Sequence, residues 1–162
     1  MIGQEIVYNY LKELGIEFEY YEHPPIPTIE DAKIHKWWLD AVFCKNIFFR
    51  NHKGNRHYLV IVHHDAQLEI SALEKKLKQG KLTFASEKRM TKYLGLMPGS
   101  VSPFGLLNDK ENHVHTFFDP ALKEAEKLSF HPNDNRATIV LKSEDFWKYM
   151  NSLKNSYEFM EF

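Results

Sequence analysis

The residues best suited to chemistry lie in one short stretch, residues 93–109, which we call the glycine–proline loop. It contains three glycines and two prolines but is otherwise rich in apolar residues. Solvated loops are usually polar, because they need no core contacts. Apolar side chains therefore anchor this loop to a core, while Gly and Pro set an irregular backbone. Backbone N–H groups that cannot pair internally are then available to bind an anion or to stabilise an oxyanion.

A lysine and an asparagine, Lys45 and Asn46, lie near the start of a strongly apolar segment. The simplest interpretation of such a lysine is an ammonium that reaches water at the end of a sheet. The adjacent amide favours a second interpretation, in which ammonium and amide together orient a polar substrate. The local pattern by itself favours the first interpretation and leaves the second open.

A histidine, His131, lies in a polar segment between two predicted strands and is followed by Pro132 and Asn133. A histidine in a turn usually bonds its own backbone, and that interpretation is favoured when the residue is considered alone. Because imidazole titrates near neutral pH, a functional role stays open.

Nine histidines raise the question of a metal site. The nearest ligand pairs, His63–His64 and His113-x-His115, lack HExxH spacing, a CxxC partner and an evident third ligand. We therefore expect no metal and no other cofactor. Cys44 would need a lowered pKa to act as a nucleophile. Since adjacent strand residues point to opposite faces, a Lys45 that faces a pocket leaves Cys44 buried and inert.

Positive side chains cluster over residues 75–92, where seven lysines and arginines have Glu74 and Glu87 as their nearby acids. Two solvated helix faces are the usual explanation of such a pattern. The cluster is also the one region where a phosphate backbone would meet concentrated positive charge. It leads directly into the glycine–proline loop.

Helical spacing of apolar residues predicts a first helix from Ile6 to Leu14, which Gly15 ends. Two apolar runs, residues 44–50 and 57–63, predict a central β-hairpin with both faces covered. Further strands are predicted around residues 18–20, over 114–118 and over 137–141. Residues 130–135 are predicted to be a polar turn.

Further helices are predicted from their capping residues. Ser71 and Ser86 are expected N-caps, with Gly95 as the stop of the second of these helices. Asp119-Pro120 suits a helix start, and Ser143 is expected to open a final helix. Thr28 is a further candidate N-cap, with Asp31 three residues later in a loose likeness to a capping box.

Composition places the chain among ordinary globular proteins. Its 162 residues, 43% of them hydrophobic, fit a single domain over residues 1–162 with a sizeable core. The irregular mixture of strands and helices predicts an α+β domain with a mixed sheet. A net charge of −1 argues against non-specific nucleic-acid binding. One cysteine, no signal peptide and no bilayer-length apolar run predict a soluble cytoplasmic protein that does not engage a membrane.

Three groups of residues together resemble one known family. They are Cys44-Lys45-Asn46 with Phe48, the segment Leu94 to Asp109, and Phe130-His131-Pro132-Asn133 followed by Ala137-Thr138. The chain resembles the YbaK/prolyl-tRNA-synthetase-associated domain family over nearly its whole length, and within it the free-standing prolyl-tRNA editing branch. The resemblance implies an α+β fold with a mixed, curved sheet flanked by helices and a cleft lined by these groups. Residues 34–43, with Trp37 and Trp38, look unlike the usual family sequence.

The resemblance implies an aminoacyl-tRNA hydrolase that removes alanine from mischarged alanyl-tRNA(Pro) without a metal. Its partners would be the acceptor end of tRNA(Pro) and, as a further candidate, prolyl-tRNA synthetase. The residues expected to be catalytic are Lys45, Gly99, Ser100 and His131. The residues expected to bind substrate are Asn46, Phe48, Pro98, Val101, Ser102, Phe104 and Gly105.

Ester hydrolysis develops an oxyanion, which the N–H groups of Gly99 and Ser100 are expected to stabilise. No Ser-His-Asp set is evident, so water is the expected nucleophile, and the family suggests that the terminal hydroxyl of the tRNA helps to activate it. Lys45 would anchor the terminal nucleotide or the carbonyl, Asn46 would orient it, and His131 would shape the pocket. Discrimination by size would follow from a small pocket walled by residues such as Phe48, Val101 and Phe104.

Three alternatives stay open. The chain could be a deacylase of cysteinyl-tRNA(Pro), a non-catalytic module that holds the tRNA acceptor end or a synthetase, or a hydrolase of small esters that uses the same loop. The intact loop, Lys45 and His131 favour catalysis over the binding module, and the form of the loop favours alanine.

Overall fold

A computed structural model describes residues 1–25 and 40–161 of the chain. Within these residues there are eight strands: β1 (Glu19–Glu22), β2 (Val42–Arg50), β3 (His57–His63), β4 (Thr83–Phe84), β5 (His115–Phe118), β6 (Lys127–Phe130), β7 (Ala137–Lys142) and β8 (Tyr157–Phe159). They form one mixed sheet in the order β1-β7-β6-β2-β3-β5-β8, and β4 pairs with β2 outside this order.

Helices cover both faces of this sheet. The α-helices are α1 (Glu5–Glu13), α2 (Ile70–Leu77), α3 (Glu87–Leu94) and α4 (Ser143–Ser152). Two 3₁₀ helices, Pro103–Asn108 and Pro120–Glu124, complete the described elements. No helix of the described residues is both long and apolar enough to cross a bilayer.

The central hairpin of β2 and β3 confirms the sequence prediction. The two strands pair antiparallel from Cys44 opposite His63 to Arg50 opposite His57. Along β3, Leu59 and Ile61 enter the core under α1 and α4. The alternating residues Tyr58, Val60 and Val62 enter a second core against α2. Both faces of β3 are therefore buried, as its nearly continuous apolar sequence predicts.

Other predicted elements differ in detail. The α2 helix begins at Ile70 rather than after Ser71, because the Glu69 carbonyl accepts the Ala72 and Leu73 N–H groups and no side chain caps the helix. Asp119-Pro120 opens a 3₁₀ helix. Phe130 was expected in a turn but ends β6 and is buried.

The remaining outcomes are mixed. Ser86 does cap α3, and Gly95 ends that helix in the left-handed conformation. Strands β4, β6 and β8 were not predicted. The expected cap at Thr28 with Asp31, and most of the unusual segment around Trp37 and Trp38, lie outside the described residues.

A buried histidine joins the hairpin to α3. His57 is 1% exposed, and its Nε2 accepts a hydrogen bond from Arg89 Nη1 at 3.0 Å. Its Nδ1 therefore carries the proton and donates to His113 Nε2 at 2.9 Å. Burial, followed by the nearby His113 and Arg89, lowers the pKa of His57 from 6.5 to about 4.

This depressed pKa predicts a stability change with pH. Between the unfolded pKa of 6.5 and the folded pKa of about 4, the unfolded state binds more protons, so stability is full above this window and falls as pH drops through it. The loss should reach about 2 kcal/mol by pH 4.5 in urea unfolding. His57→Gln should flatten this dependence, whereas the exposed His52→Gln should not. Equal pH slopes in wild type and His57→Gln would contradict the assignment.

Candidate active site

The sheet opens on one edge of β2. That edge pairs in parallel with β6 at Val42 and Phe43, and antiparallel with β4 at Phe49 and Arg50. Between these two pairings, no described strand joins β2 on this side. The opening leaves backbone groups and side chains of the intervening residues accessible to something other than a strand. Lys45 and Asn46, both predicted from the sequence, lie in this interval.

Lys45 is half-buried on the face of β2 opposite to Cys44 and Phe48. Its ammonium donates to the carbonyl of Ala66 at 2.7 Å, so the side chain is held against the segment that leads into α2. This contact uses one of three ammonium donors. A substrate oxygen can take another of them, or can replace Ala66.

Asn46 points to the other face, where the glycine–proline loop packs. Its Nδ2 donates to the Cys44 carbonyl at 3.2 Å. Its Oδ1 is buried and has no hydrogen-bond partner among the described residues. Buried acceptors are nearly always paired, so this oxygen is available to accept a hydrogen bond from a water molecule or from a ligand.

His131 follows β6 directly. The parallel pairing of β2 with β6 ends at Phe43 opposite Ser129, two residues before His131. The Ala137 carbonyl lies 2.7 Å from Nδ1 and can only accept, so Nδ1 carries a proton and the ring orientation is fixed. In the neutral ring Nε2 is then the basic nitrogen. His131 thus bonds the backbone, as the simpler interpretation predicts, and it directly follows the strand that borders the opening.

The glycine–proline loop turns sharply at Gly99. Ser100 N–H donates to the Met97 carbonyl at 3.1 Å, and Gly99 adopts φ +86°, which together with Pro98 matches a type II turn. Because this bond uses the Ser100 N–H, the expected role of that group as an oxyanion donor is not supported. The N–H groups of Gly99 and Val101 have no acceptor among the described residues. They are the better donors for an oxyanion.

Four of the expected substrate-binding residues instead support the loop from inside. Phe48 and Phe104 are buried in the core. Ser102 is fully buried, and its Oγ accepts from Phe104 N–H to cap the 3₁₀ helix. At Gly105 a Cβ would lie 2.7 Å from Leu96 Cδ1 and 3.2 Å from the Leu94 carbonyl oxygen, so a larger residue would require both neighbours to shift. Pro98 is exposed and Val101 is half-buried.

Gln4 connects the loop to the turn after His131, and no pattern in the sequence predicted this role. Its Nε2 donates to the Gly95 carbonyl at 3.0 Å, and its Oε1 accepts from Asn108 Nδ2 at 2.9 Å and Asn133 Nδ2 at 3.0 Å. Its backbone N–H also donates to the Pro132 carbonyl at 3.1 Å. One side chain therefore spans both ends of the loop and the histidine turn.

Two hydroxyl groups add to this scaffold. Ser100 Oγ accepts from Asn135 N–H at 3.1 Å, which is a second link between the loop and the turn. Tyr149 of α4 donates from within the core to the Pro103 carbonyl at 2.9 Å. The expected catalytic residue Ser100 thus has a structural role, and the loop is rigid at its apex and at its 3₁₀ helix.

One group of described residues offers several candidate metal ligands close together. His63, His64 and Asp65 are a described group whose ligand atoms lie within 4.8 Å of one another. They are consecutive residues, with the two imidazoles stacked 4.2 Å apart. His113 and His115, the other pair considered from the sequence, have separate partners: His113 meets His57, and His115 meets Ser156 and Glu158.

Comparison with known proteins identifies the family of this chain. The model of the aminoacyl-tRNA editing domain family matches residues 23–149. The chain belongs to this family. It is 41% identical over 162 residues to the prolyl-tRNA editing protein ProX of Acetoanaerobium sticklandii, covering 99% of this chain and 98% of that one. It is 36% identical over 153 residues to the mouse prolyl-tRNA synthetase associated domain-containing protein 1, covering 90% of each.

A solved structure confirms the fold. A candidate trans-editing enzyme for prolyl-tRNA synthetase superposes with a TM-score of 0.74 at 17% identity, over 97% of this chain and 94% of that one. The α+β architecture with a mixed sheet, expected from the sequence, is therefore shown by both the structure and its likeness to known folds.

Removal of the Gln4 side chain should loosen the site. Gln4→Ala removes the partner of the Asn133 amide and of the Gly95 carbonyl, whereas Asn108 Nδ2 keeps its bond to the Leu94 carbonyl. The change should lower the free energy of unfolding by about 1–3 kcal/mol. Urea unfolding measures this loss. The exposed Gln67→Ala serves as the control and should change stability by less than about 0.5 kcal/mol. Equal effects at both positions would refute the bridging role.

Cys44 should be chemically silent. It is 7% exposed, and burial together with the Asp119 carboxylate raises the pKa of its thiol well above the usual value. Iodoacetamide should therefore modify the folded protein at least about 100-fold more slowly than the urea-unfolded protein, as followed by mass spectrometry. Rapid alkylation of the folded chain would restore the nucleophile hypothesis.

Proposed function

We propose that the chain, over residues 1–162 as one editing domain, is a trans-editing deacylase that hydrolyses the ester of mischarged alanyl-tRNA(Pro). The observation that carries this proposal is the opening of the sheet beside β2, where Lys45 lies on one face of the strand and Asn46 lies on the other, toward the glycine–proline loop. His131 directly follows β6, the strand that borders the opening. The names of the relatives, one a prolyl-tRNA editing protein, support the choice of tRNA.

The terminal aminoacyl-adenosine would enter the gap between β2 and β6. Lys45 exchanges its contact with Ala66 for a substrate oxygen, either the carbonyl or a group of the terminal nucleotide. The buried Asn46 Oδ1 accepts a hydrogen bond from a donor of the substrate. The α-ammonium of the aminoacyl group is the donor that lies nearest to the ester. The orphaned acceptor would thereby gain the partner that it lacks.

The reaction is an acyl transfer to water. A water oxygen adds to the carbonyl carbon, and the carbonyl oxygen becomes an oxyanion that Gly99 and Val101 N–H groups stabilise. One such donor is worth about 3 kcal/mol of barrier. The tetrahedral intermediate then expels the ribose oxygen, which takes a proton, and alanine and free tRNA leave. The terminal hydroxyl of the tRNA assists the water, as the family suggests, and His131 positions the water or the aminoacyl group.

Rejection of proline would follow from the small size of the pocket that receives the amino-acid side chain. A synthetase site cannot strongly exclude an amino acid smaller than its own, because the missing methylene groups change binding by only about 1–3 kcal/mol. A second site that admits alanine but not the proline ring resolves this. Val101, held from beneath by the buried Phe104, is the proposed wall.

The direct test is deacylation of alanyl-, cysteinyl- and prolyl-tRNA(Pro) under multiple-turnover conditions. Wild type should release alanine and leave prolyl-tRNA intact. Lys45→Ala should lower kcat/KM by about 10- to 100-fold, the value of a hydrogen bond to a charged group. The exposed Lys110→Ala is a matched control and should retain full activity.

Other outcomes identify the alternatives. Release of cysteine with alanine retained keeps the site but changes its specificity. Release from a minimal aminoacyl ester as fast as from tRNA favours a small-ester hydrolase. Absence of turnover on all three tRNAs sinks the enzymatic proposal and makes a tRNA-binding or synthetase-binding module the leading function.

A further inference from the structure

Positive charge in this chain is strongly segregated. Residues 50–56 and 75–92 contain ten of the 21 lysines and arginines but only one of the 22 acids, Glu87. The rest of the chain is therefore acidic, with 11 positive and 21 negative side chains. We call the ten residues the basic surface: Arg50, Lys53, Arg56, Lys75, Lys76, Lys78, Lys81, Lys88, Arg89 and Lys92.

The fold brings these two segments together. Arg89 of α3 donates to the Gly54 carbonyl at the hairpin tip at 2.9 Å, and His52 N–H donates to the Gln79 carbonyl at 3.3 Å. Strand β4 pairs with the end of β2, with Thr83 opposite Arg50. The hairpin tip, the end of α2 and the start of α3 thus form one continuous surface.

The basic surface has few counter-charges, with Glu87 inside its segments and Glu74 directly before Lys75. None of its ten cations lies within 4.0 Å of an acidic side chain of the described residues, whereas Lys127 pairs with Glu19 and Arg136 with Asp134 elsewhere. Eight of the ten are exposed. Arg89 and Lys76 contact backbone carbonyls. Like charges gathered with few acids repel one another, and a polyanionic partner would relieve this repulsion.

An exposed aromatic side chain lies within this surface. Phe84 of β4 is 63% exposed, and its ring stacks on the buried Phe49 at 5.3 Å with 19° between the planes. It falls between Lys81 and Lys88 in the sequence. A ring held rigidly from below and open above is a platform on which a nucleobase can stack.

The basic surface adjoins the proposed active site. Strand β2 runs from Lys45 at the opening to Arg50 at the basic surface, a span of about 16 Å at 3.3 Å per residue. Phe84 pairs with Phe49 on the same edge of β2 that opens at Lys45. Helix α3 ends directly in the glycine–proline loop. An RNA strand that reaches the site by this edge would cross the basic surface.

We propose that the basic surface binds the sugar–phosphate backbone of the RNA whose 3′ end enters the site, and that Phe84 stacks on a base of its unpaired 3′ terminus. This inference rests on the proposed function and names the surface that would hold the substrate. RNA is favoured over an anionic membrane because the surface carries one large exposed apolar side chain among its many separated charges. A membrane-binding face needs a broader apolar area.

The test is binding of unacylated tRNA(Pro), measured by fluorescence anisotropy between 50 and 200 mM KCl. The triple variant Lys53→Gln/Arg56→Gln/Lys88→Gln removes three exposed charges from the basic surface. It should bind at least 10-fold more weakly at 50 mM KCl, and the slope of log affinity against log salt should fall by about 2 to 3. The matched control Lys12→Gln/Lys110→Gln/Lys154→Gln has the same net charge and should bind as wild type does.

Phe84 is tested with a short single-stranded RNA that ends in CCA. Phe84→Ala should weaken its binding by about 5- to 100-fold, Phe84→Leu should weaken it nearly as much, and Phe84→Tyr should retain it. Because the ring is mostly exposed, the urea midpoint should not change, which separates this loss from misfolding. Equal binding by the leucine and tyrosine variants would show that apolarity rather than stacking matters, and would overturn this part of the proposal.

Binding of unacylated RNA does not depend on catalysis, so the two proposals fail separately. If the wild-type protein turns over mischarged tRNA but the two triple variants bind tRNA with equal affinity, the basic-surface proposal is overturned and the deacylase proposal is not. Tight, surface-dependent binding without turnover overturns the deacylase but not the basic surface. An equal loss of tRNA affinity in both triple variants would show that net charge alone drives binding. Tighter binding to anionic vesicles than to RNA would assign the surface to a membrane. Either result overturns the proposal.

Discussion

One edge of β2 has two different partners, and the position of the site depends on this constraint. A strand that paired along its whole length with one neighbour would bury its backbone groups in a ladder. Here β6 leaves the edge after Phe43 and β4 joins it only at Phe49. The residues between them are fixed by pairing to β3 on the other edge, yet open toward the gap. Rigid placement and accessibility are thus combined in the same few residues.

The glycine–proline loop meets this opening through contacts from several directions. The type II turn at Gly99, the buried Ser102 cap and the close approach of Gly105 to Leu96 each fix part of its path. Gln4 and Ser100 then tie it to the turn that carries His131. A site whose backbone donors are held in this way requires little reorganisation when charge develops, which is the condition under which neutral N–H groups are effective.

The sequence was most informative where local rules decide the structure. The continuous apolar runs predicted the central hairpin, and Ser86 and Gly95 correctly bounded α3. Lys45, Asn46, the loop and His131 were found through their motifs, although which of them touch a substrate stays a prediction. Phe48 and Phe104 show the limit of prediction from the sequence. An aromatic residue in a motif can bind a ligand or fill a core, and only three-dimensional packing distinguishes the two roles. Short strands such as β4 form because a neighbour's edge is available, and no local pattern reports that.

Gln4 also constrains how the chain acquires its site during synthesis. It is synthesised before every partner of its side chain, since these partners lie 91, 104 and 129 residues later. The loop and the histidine turn can therefore reach their final relation only when the chain is available as far as Asn133, since contacts of such sequence separation form after local structure. A partly synthesised chain could hold the hairpin and the basic surface before the proposed active site is assembled, so the proposed RNA binding would precede the proposed hydrolysis.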